Sequence, residues 1–169
     1  LDLMLVEFFE LRMVQTDPNF SNYQYKHETG EIVLLDFGAT RRFKASFVND
    51  YKKLARAAIA GDEAKLVVAS EQLGYAMGEA GSDYQTMVLQ FLTAALEPLR
   101  LDIDYDFAHS DMASTISELG GEVAGFRDSW QVPPSAAVYF HRKVGGMFML
   151  ASRLKARVNV HQLMQRWLV

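Results

Sequence analysis

The stretch that decides the reading is Gln15-Thr16-Asp17-Pro18-Asn19-Phe20-Ser21-Asn22, followed at residues 34–41 by Leu34-Leu35-Asp36-Phe37-Gly38-Ala39-Thr40-Arg41. Asp17 and Asn22 stand five positions apart, and Asp36 closes an apolar run that begins at Ile32. Pro18 and the polar residues around it favour an irregular loop. Between the two acidic positions, Tyr23 to Tyr25 reads as a short extended segment and His27-Glu28-Thr29-Gly30 as a turn. Ile32 to Leu35 reads as its return strand, so the spacing predicts a β-hairpin. Gly38 lets the backbone leave that strand. Each piece has an ordinary reading: an Asp-Phe-Gly turn after a strand, an Asp-Pro loop, an Asn that caps a turn. Their order and context together point to a site that presents carboxylate and amide oxygens from one loop and one strand end.

Phosphoryl transfer requires such a set. Hard oxygen ligands hold Mg²⁺ against the phosphates, and a polar residue stands near the attacking oxygen. Kinase-fold enzymes place an Asp and, five positions on, a metal-binding Asn on one loop, then a hairpin, then Asp-Phe-Gly. The wording here resembles the UbiB, or aarF-domain, family of atypical kinases, in particular the branch that supports coenzyme Q biosynthesis in bacteria and mitochondria. A second match to that family lies at Val132-Pro133-Pro134, His141-Arg142-Lys143-Val144-Gly145-Gly146 and Leu154-Lys155-Ala156-Arg157. The resemblance therefore runs over almost the whole chain. It implies a protein-kinase-like C-terminal lobe, mainly α, with one small β-hairpin carrying the catalytic loop and the Asp-Phe-Gly segment. It implies Asp17 in the catalytic role. It also implies Asn22 and Asp36 as metal ligands, Phe37 and Gly38 beside the cofactor, and ATP with Mg²⁺ as cofactors. Ubiquinone synthesis is the implied context, with a cytoplasmic or mitochondrial-matrix location at a membrane periphery.

Departures from ordinary protein kinases matter. Asn19 stands where a phosphate-contacting Lys is usual, Gln15 replaces the usual His, and no Ala-Pro-Glu follows residue 38. Helical spacing resumes at Ala45, which leaves little room for a peptide-docking segment. These features argue against a protein substrate. The rival readings are a small-molecule phosphotransferase of the aminoglycoside or choline kinase type and a non-catalytic scaffold that binds lipid or a partner protein.

The remaining sequence bounds the answer. The 169 residues suffice for one domain with a core, and half of them are hydrophobic. No cysteine is present, which excludes disulfides and thiolate metal sites and favours a reducing compartment. No apolar run is long enough to span a bilayer. The chain starts at Leu1 with an already amphipathic segment. It also lacks a Gly-rich phosphate loop, a strand Lys paired with a helix Glu, and the Lys-x-Gly-Gln segment of the family. Residues 1–169 are therefore expected to be a single C-terminal lobe without its N-terminal lobe, inactive alone. Apolar surface is expected to be exposed near Phe8, Phe37 and Phe43, favouring self-association.

Elsewhere the periodicity is helical. Leu1 to Met13 is expected to form a helix, as are the segments carrying Phe47-Tyr51-Leu54-Ala58 and Leu66-Ser70-Leu73. A third helix is expected with Met87-Phe91-Ala95 on one face, capped by Ser82 or Asp83 and closed by Pro98. A fourth is capped by Ser110 and weakened at Gly120-Gly121. A long one follows Pro133-Pro134 to about Lys155, and the last runs from Val160 to Trp167. Gly145-Gly146 inside the long helix implies close packing against a neighbour. The net charge is −4, but residues 127–169 carry seven Lys or Arg against Asp128 alone. Arg142, Lys143, Arg153, Lys155 and Arg157 could form a face for anionic lipid headgroups near a quinone precursor, or the tail could dock on the acidic body. No nucleic-acid motif is present. His27, His109, His141 and His161 lack metal-ligand spacing, and His141 is read as a packed or capping residue. Arg41 or Arg42 could meet Asp17, a phosphate, or a surface carboxylate. The methionines are read as core fillers.

Overall fold

The computed structural model describes residues 1–129 and 131–169. Most elements are helices. They are α1 (Asp2–Leu5), α2 (Ala45–Ala60), α3 (Glu63–Gln72), α4 (Asp83–Ala95), α5 (Glu97–Arg100), α6 (Met112–Gly125), α7 (Ser135–Arg153) and α8 (Val160–Gln165). A π-helical turn, Val6–Glu10, continues α1.

Among the described residues the strands form three antiparallel pairs rather than the single expected hairpin. The hairpin itself is present: β2 (Tyr23–Lys26) pairs with β3 (Glu31–Leu34), Tyr23 opposite Leu34. A second pair joins β1 (Met13–Gln15) to β4 (Thr40–Arg42), with Gln15 opposite Thr40. The third, β5 (Tyr105–Asp106) with β6 (Arg157–Val158), ties the end of the chain back to its middle. These two pairs are only two or three residues long, too short to leave an alternating pattern.

The first helix stops earlier than periodicity predicts. Arg12 turns the chain at φ 52°, and its carbonyl accepts the Phe43 N–H at 2.9 Å. Met13 thus enters a strand instead of extending the helix. That turn brings the first helix over α2, and Phe8 becomes the centre of an aromatic cluster. It stacks on Phe140 with centroids 3.8 Å apart and meets Phe43, Phe47 and Tyr51 edge-on. Phe8 and Phe43 are buried, contrary to the expectation of exposure, whereas Phe37 is 59% exposed.

α2 buries Tyr51, Leu54 and Ala58 of the expected line, but Val48 takes the fully buried place and Phe47 is only partly covered. Gly61 (φ 65°) ends it, and Asp62 caps α3 by accepting the Lys65 N–H. Ser82 caps α4, whose most buried line is Tyr84-Val88-Leu92, one step round from the expected face. Pro98 lies in the first turn of the separate α5. α6 starts after Asp111, not Ser110, and runs through Gly120 and Gly121 to Gly125, its residues packing along α4. α7 follows Pro134 and ends at Arg153, where Lys155 (φ 51°) turns the chain. α8 stops at Gln165.

The basic tail returns to the acidic start of the chain. Lys143 pairs with Glu7, Arg142 with Asp17 and Arg166 with Asp2. Lys143 is almost fully buried, so it does not contribute to an exposed basic face.

Candidate active site

Antiparallel pairing of β1 with β4 places Gln15 and Thr16 beside the segment that follows Asp36. Thr16 uses both backbone and side chain there: its N–H and its Oγ1 donate to the Ala39 carbonyl at 3.2 and 2.8 Å. Gln15 does more. Its Oε1 accepts the Asp17 N–H at 2.7 Å, while its Nε2 donates to the Asp36 carbonyl at 3.1 Å. One amide side chain thus fixes the backbone at both acidic positions, because it carries an acceptor and a donor on one planar group. Sequence comparison with kinases singles out Gln15 only as a replacement for His.

Pro18 and Asn19 then carry the chain outward. The Asn19 Oδ1 accepts the Ser21 N–H and caps a 3₁₀ turn, Phe20–Asn22. That turn returns Asn22 to the interior, and its Nδ2 donates to Asp17 Oδ2 at 3.2 Å. The other Asp17 oxygen, Oδ1, accepts from Arg142 of α7 at 3.1 Å. The arginine that reaches Asp17 is therefore neither Arg41 nor Arg42; Arg41 lies over the Tyr139 ring, 3.5 Å from its centroid.

Asn22 also links the loop to the far strand end, its carbonyl accepting the Leu35 N–H at 3.0 Å. Asp36 is the next residue. Its Oδ1 accepts the Gly38 N–H at 2.7 Å, which shapes the Asp36-Phe37-Gly38 turn. The structure thus gathers Asp17, Asn22 and Asp36 onto two adjoining turns, with Phe37 and Gly38 at the exposed rim. Asp17–Asn22 contact is direct, and Asp36 is tied to Asp17 through Gln15.

With Asn22 Nδ2 committed to Asp17, its amide oxygen is the ligand atom it can offer. Asp36 keeps Oδ2 beyond its turn bond. These are hard oxygen donors, few in number, which suits Mg²⁺ bound mainly through phosphates and water rather than in an all-protein cage. No cluster of three or more His, Cys, Asp or Glu able to hold a metal occurs among the described residues.

α7 buttresses the loop from behind. A Cβ built on Gly146 would overlap Cβ and Cγ of Pro18, so the helix approaches the loop as closely as it does only because residue 146 is glycine. Gly145 has open space and shows no such constraint. The close packing expected of the glycine pair belongs to Gly146 alone. Three residues before Gly146, Lys143 is buried, its Nζ 2.6 Å from the Tyr23 hydroxyl and 3.5 Å from Glu7 Oε2. Two residues before Lys143, His141 Nε2 lies 2.7 Å from both Tyr51 and Tyr75 hydroxyls, and its ring stacks on Tyr75. Desolvation beside these rings lowers the His141 pKa to about 4 and raises that of Tyr75 to about 12. His141 is a packed residue, and an apolar cavity of about 250 Å³ lies beside it, away from the Asp17 loop.

The fold is mainly helical, consistent with a kinase-like domain, and its candidate site is built from a loop, a hairpin and a turn. Residues 1–70 match the ABC1 atypical kinase-like domain. Over nearly its whole length the chain is similar to mitochondrial atypical kinases. It is 32% identical to the rat atypical kinase COQ8B over 98% of this chain and 31% of the rat protein. It is 35% identical to atypical kinase coq-8 of Caenorhabditis elegans over 94% of this chain and 21% of that protein. It is 34% identical to atypical kinase COQ8 of Saccharomyces cerevisiae over 95% of this chain and 32% of the yeast protein. The chain belongs to the ABC1, or UbiB-type, family of atypical kinases. It spans between about a fifth and a third of the length of these relatives. No helix among the described residues is long and apolar enough to cross a membrane.

Proposed function

We propose that this chain is the C-terminal lobe of a UbiB-type atypical kinase or ATPase that uses Mg-ATP and supports ubiquinone biosynthesis. The observation that carries the reading is the joining of Asp17, Asn22 and Asp36 by Gln15 and by the Asn22–Asp17 hydrogen bond. Bound Mg²⁺ supplies charge neutralisation for the phosphates. Asp36 and the Asn22 amide oxygen would hold the metal. Asp17, oriented by Asn22 and Arg142, accepts a hydrogen bond from the attacking hydroxyl or water.

Phosphoryl transfer of this kind rests on positioning and charge stabilisation from both sides of the nucleotide. A lobe that supplies only the metal side is therefore inactive until its N-terminal lobe is joined. Leu35 and Phe37, each at least half exposed at the rim of the site, fit the surface that such a lobe covers, and self-association is its consequence when uncovered. The names of the relatives place them in mitochondria, which supports a cytoplasmic or mitochondrial-matrix location at a membrane periphery for this chain.

The test is Mg²⁺-dependent ATP hydrolysis by the two-lobed protein, with Asp36→Asn as control. A fall of about a hundredfold or more in the variant supports the assignment. Equal hydrolysis in both, or a folded two-lobed protein that binds no nucleotide, overturns it and puts a scaffold in its place. Phosphorylation of added small alcohols would move the protein to the small-molecule phosphotransferases.

A further inference from the structure

One buried charge pair in the molecule has no part in the metal-side chemistry, yet it reaches both ends of the loop that carries it. Lys143 is 1% exposed and Glu7 6%. Burying two charges is costly unless geometry and hydrogen bonds compensate, so such a pair is weak evidence for a purely stabilising role. What it touches is more informative. Glu7 lies in the π-helical turn Val6–Glu10, a helix irregularity that recurs at functional sites. Its Oε1 accepts the Gln15 N–H at 3.4 Å, at the start of the loop. Among the described residues its Oε2 takes no hydrogen bond, and it lies 3.5 Å from the Lys143 ammonium. The same ammonium donates to the Tyr23 hydroxyl at 2.6 Å and lies 5.4 Å from the centre of that ring. Tyr23 directly follows Asn22 and opens the hairpin that ends next to Asp36.

We infer that Lys143, with Glu7 and Tyr23, is a positioning device that sets the spacing between Asp17 and Asn22 from beneath the loop. Through Glu7 it holds Gln15, whose side chain fixes the backbone of Asp17 and Asp36. Through Tyr23 it holds the residue after Asn22. The cation is central and shared, so displacing it loosens both ends of residues 15–23 at once. Lys143 touches none of the three proposed reacting or metal-binding side chains and acts through others. The kinetic part of the inference rests on the phosphoryl-transfer reading; the structural part does not.

Two variants test it in the two-lobed protein. Tyr23→Phe removes one hydroxyl and leaves the ion pair. Glu7→Gln with Lys143→Met removes both charges while keeping an acceptor for Gln15, which avoids the unpaired buried carboxylate that Lys143→Met alone would leave. Amide hydrogen exchange is followed by residue, and ATP turnover is measured alongside. The expected result is exchange of residues 15–23 faster by about tenfold or more in both variants, with the helices unchanged. The value of kcat falls about tenfold or more while KM for ATP stays within about threefold. Unchanged exchange across 15–23 overturns the inference. So does a loss of kcat that only tracks global unfolding and returns on cooling. If the unmodified protein turns over no ATP, the functional reading fails by itself, and the exchange pattern still decides whether the brace exists.

Discussion

Gln15 and Asp36 are joined by a hydrogen bond from the Gln15 amide to the Asp36 carbonyl, 3.1 Å long and spanning 21 residues of sequence. The opposite end of the same amide accepts the Asp17 N–H at 2.7 Å. A single side chain therefore sets the relation between two acidic residues that lie on different turns. Gln15 itself is buried, and both of these hydrogen bonds are partly shielded from water.

Replacing Gln15 separates these two tasks. Gln15→Leu leaves the Asp17 N–H and the Asp36 carbonyl without their partner, and the cost is about 1–3 kcal/mol of stability. Gln15→Glu keeps an acceptor for Asp17 but turns an oxygen toward the Asp36 carbonyl, so it loosens the Asp36 turn selectively. Chemical denaturation gives the first quantity. Exchange rates of the Asp17 and Gly38 amides distinguish the two variants, with Gly38 affected more than Asp17 in Gln15→Glu.

Much of this site is legible in the sequence, for definite reasons. Asp17, Asn22 and Asp36 stand at fixed local spacings, and the hairpin between them carries its own strand and turn signals. The braces are not local. Gln15 is recognisable as a departure from a familiar pattern, but its partner is 21 residues away and is a backbone atom. Lys143 reads as one more cation in a basic tail, and only the fold reveals that it is buried against Glu7 and Tyr23, 136 and 120 positions earlier. The expected exposure of Phe8 and Phe43 fails for the same reason. Periodicity marks them as apolar but does not tell that α7 brings Phe140 to cover them.

His141 makes stability depend on acidity in a defined window. Its folded pKa, about 4, lies below the ordinary imidazole value because the charged form is desolvated between Tyr51 and Tyr75. The unfolded chain therefore binds the extra proton first, and stability rises with pH between about 4 and 6.5. The contribution is fully present above the upper limit and is lost as pH falls through the lower one. Asp62, Asp102 and Asp106, whose pKa values are lowered by hydrogen bonds, act below that window. Melting temperature recorded from pH 7 to pH 4 is expected to fall more steeply in the unmodified protein than in His141→Gln. Parallel curves would show that the histidine is not the group responsible.

Arg142 separates orientation from stability. Its ion pair with Asp17 is partly open to solvent, 59% and 30% for the two side chains, so its loss costs no more than about 1 kcal/mol. Yet among the described residues it is one of two groups whose side chains hold the Asp17 carboxylate, the other being Asn22. On the proposed function, Arg142→Gln lowers kcat by about ten- to a hundredfold in the two-lobed protein while the denaturation midpoint scarcely moves. A drop in stability matching the drop in rate would assign Arg142 to the fold instead.

Adjacent glycines in α7 give opposite results for the same substitution. Gly145 faces open space in the middle of a 19-residue helix, so Gly145→Ala removes conformational freedom from the unfolded chain without a clash. It stabilises by about 0.5–1 kcal/mol. Gly146→Ala drives a methyl group into the Pro18 ring. That ring has no flexible end to swing away, and the loop behind it is tied at Gln15, Asp17 and Asn22. Helix or loop must therefore shift, at about 1–3 kcal/mol or more, and the shift falls on the residue next to Asp17. Urea denaturation of the two single variants measures the sign directly. Activity of the two-lobed protein should survive Gly145→Ala and fall sharply in Gly146→Ala, because the second substitution moves the loop that presents the carboxylate. Equal stability in both would mean that α7 does not pack on the loop as closely as the Gly146–Pro18 contact requires.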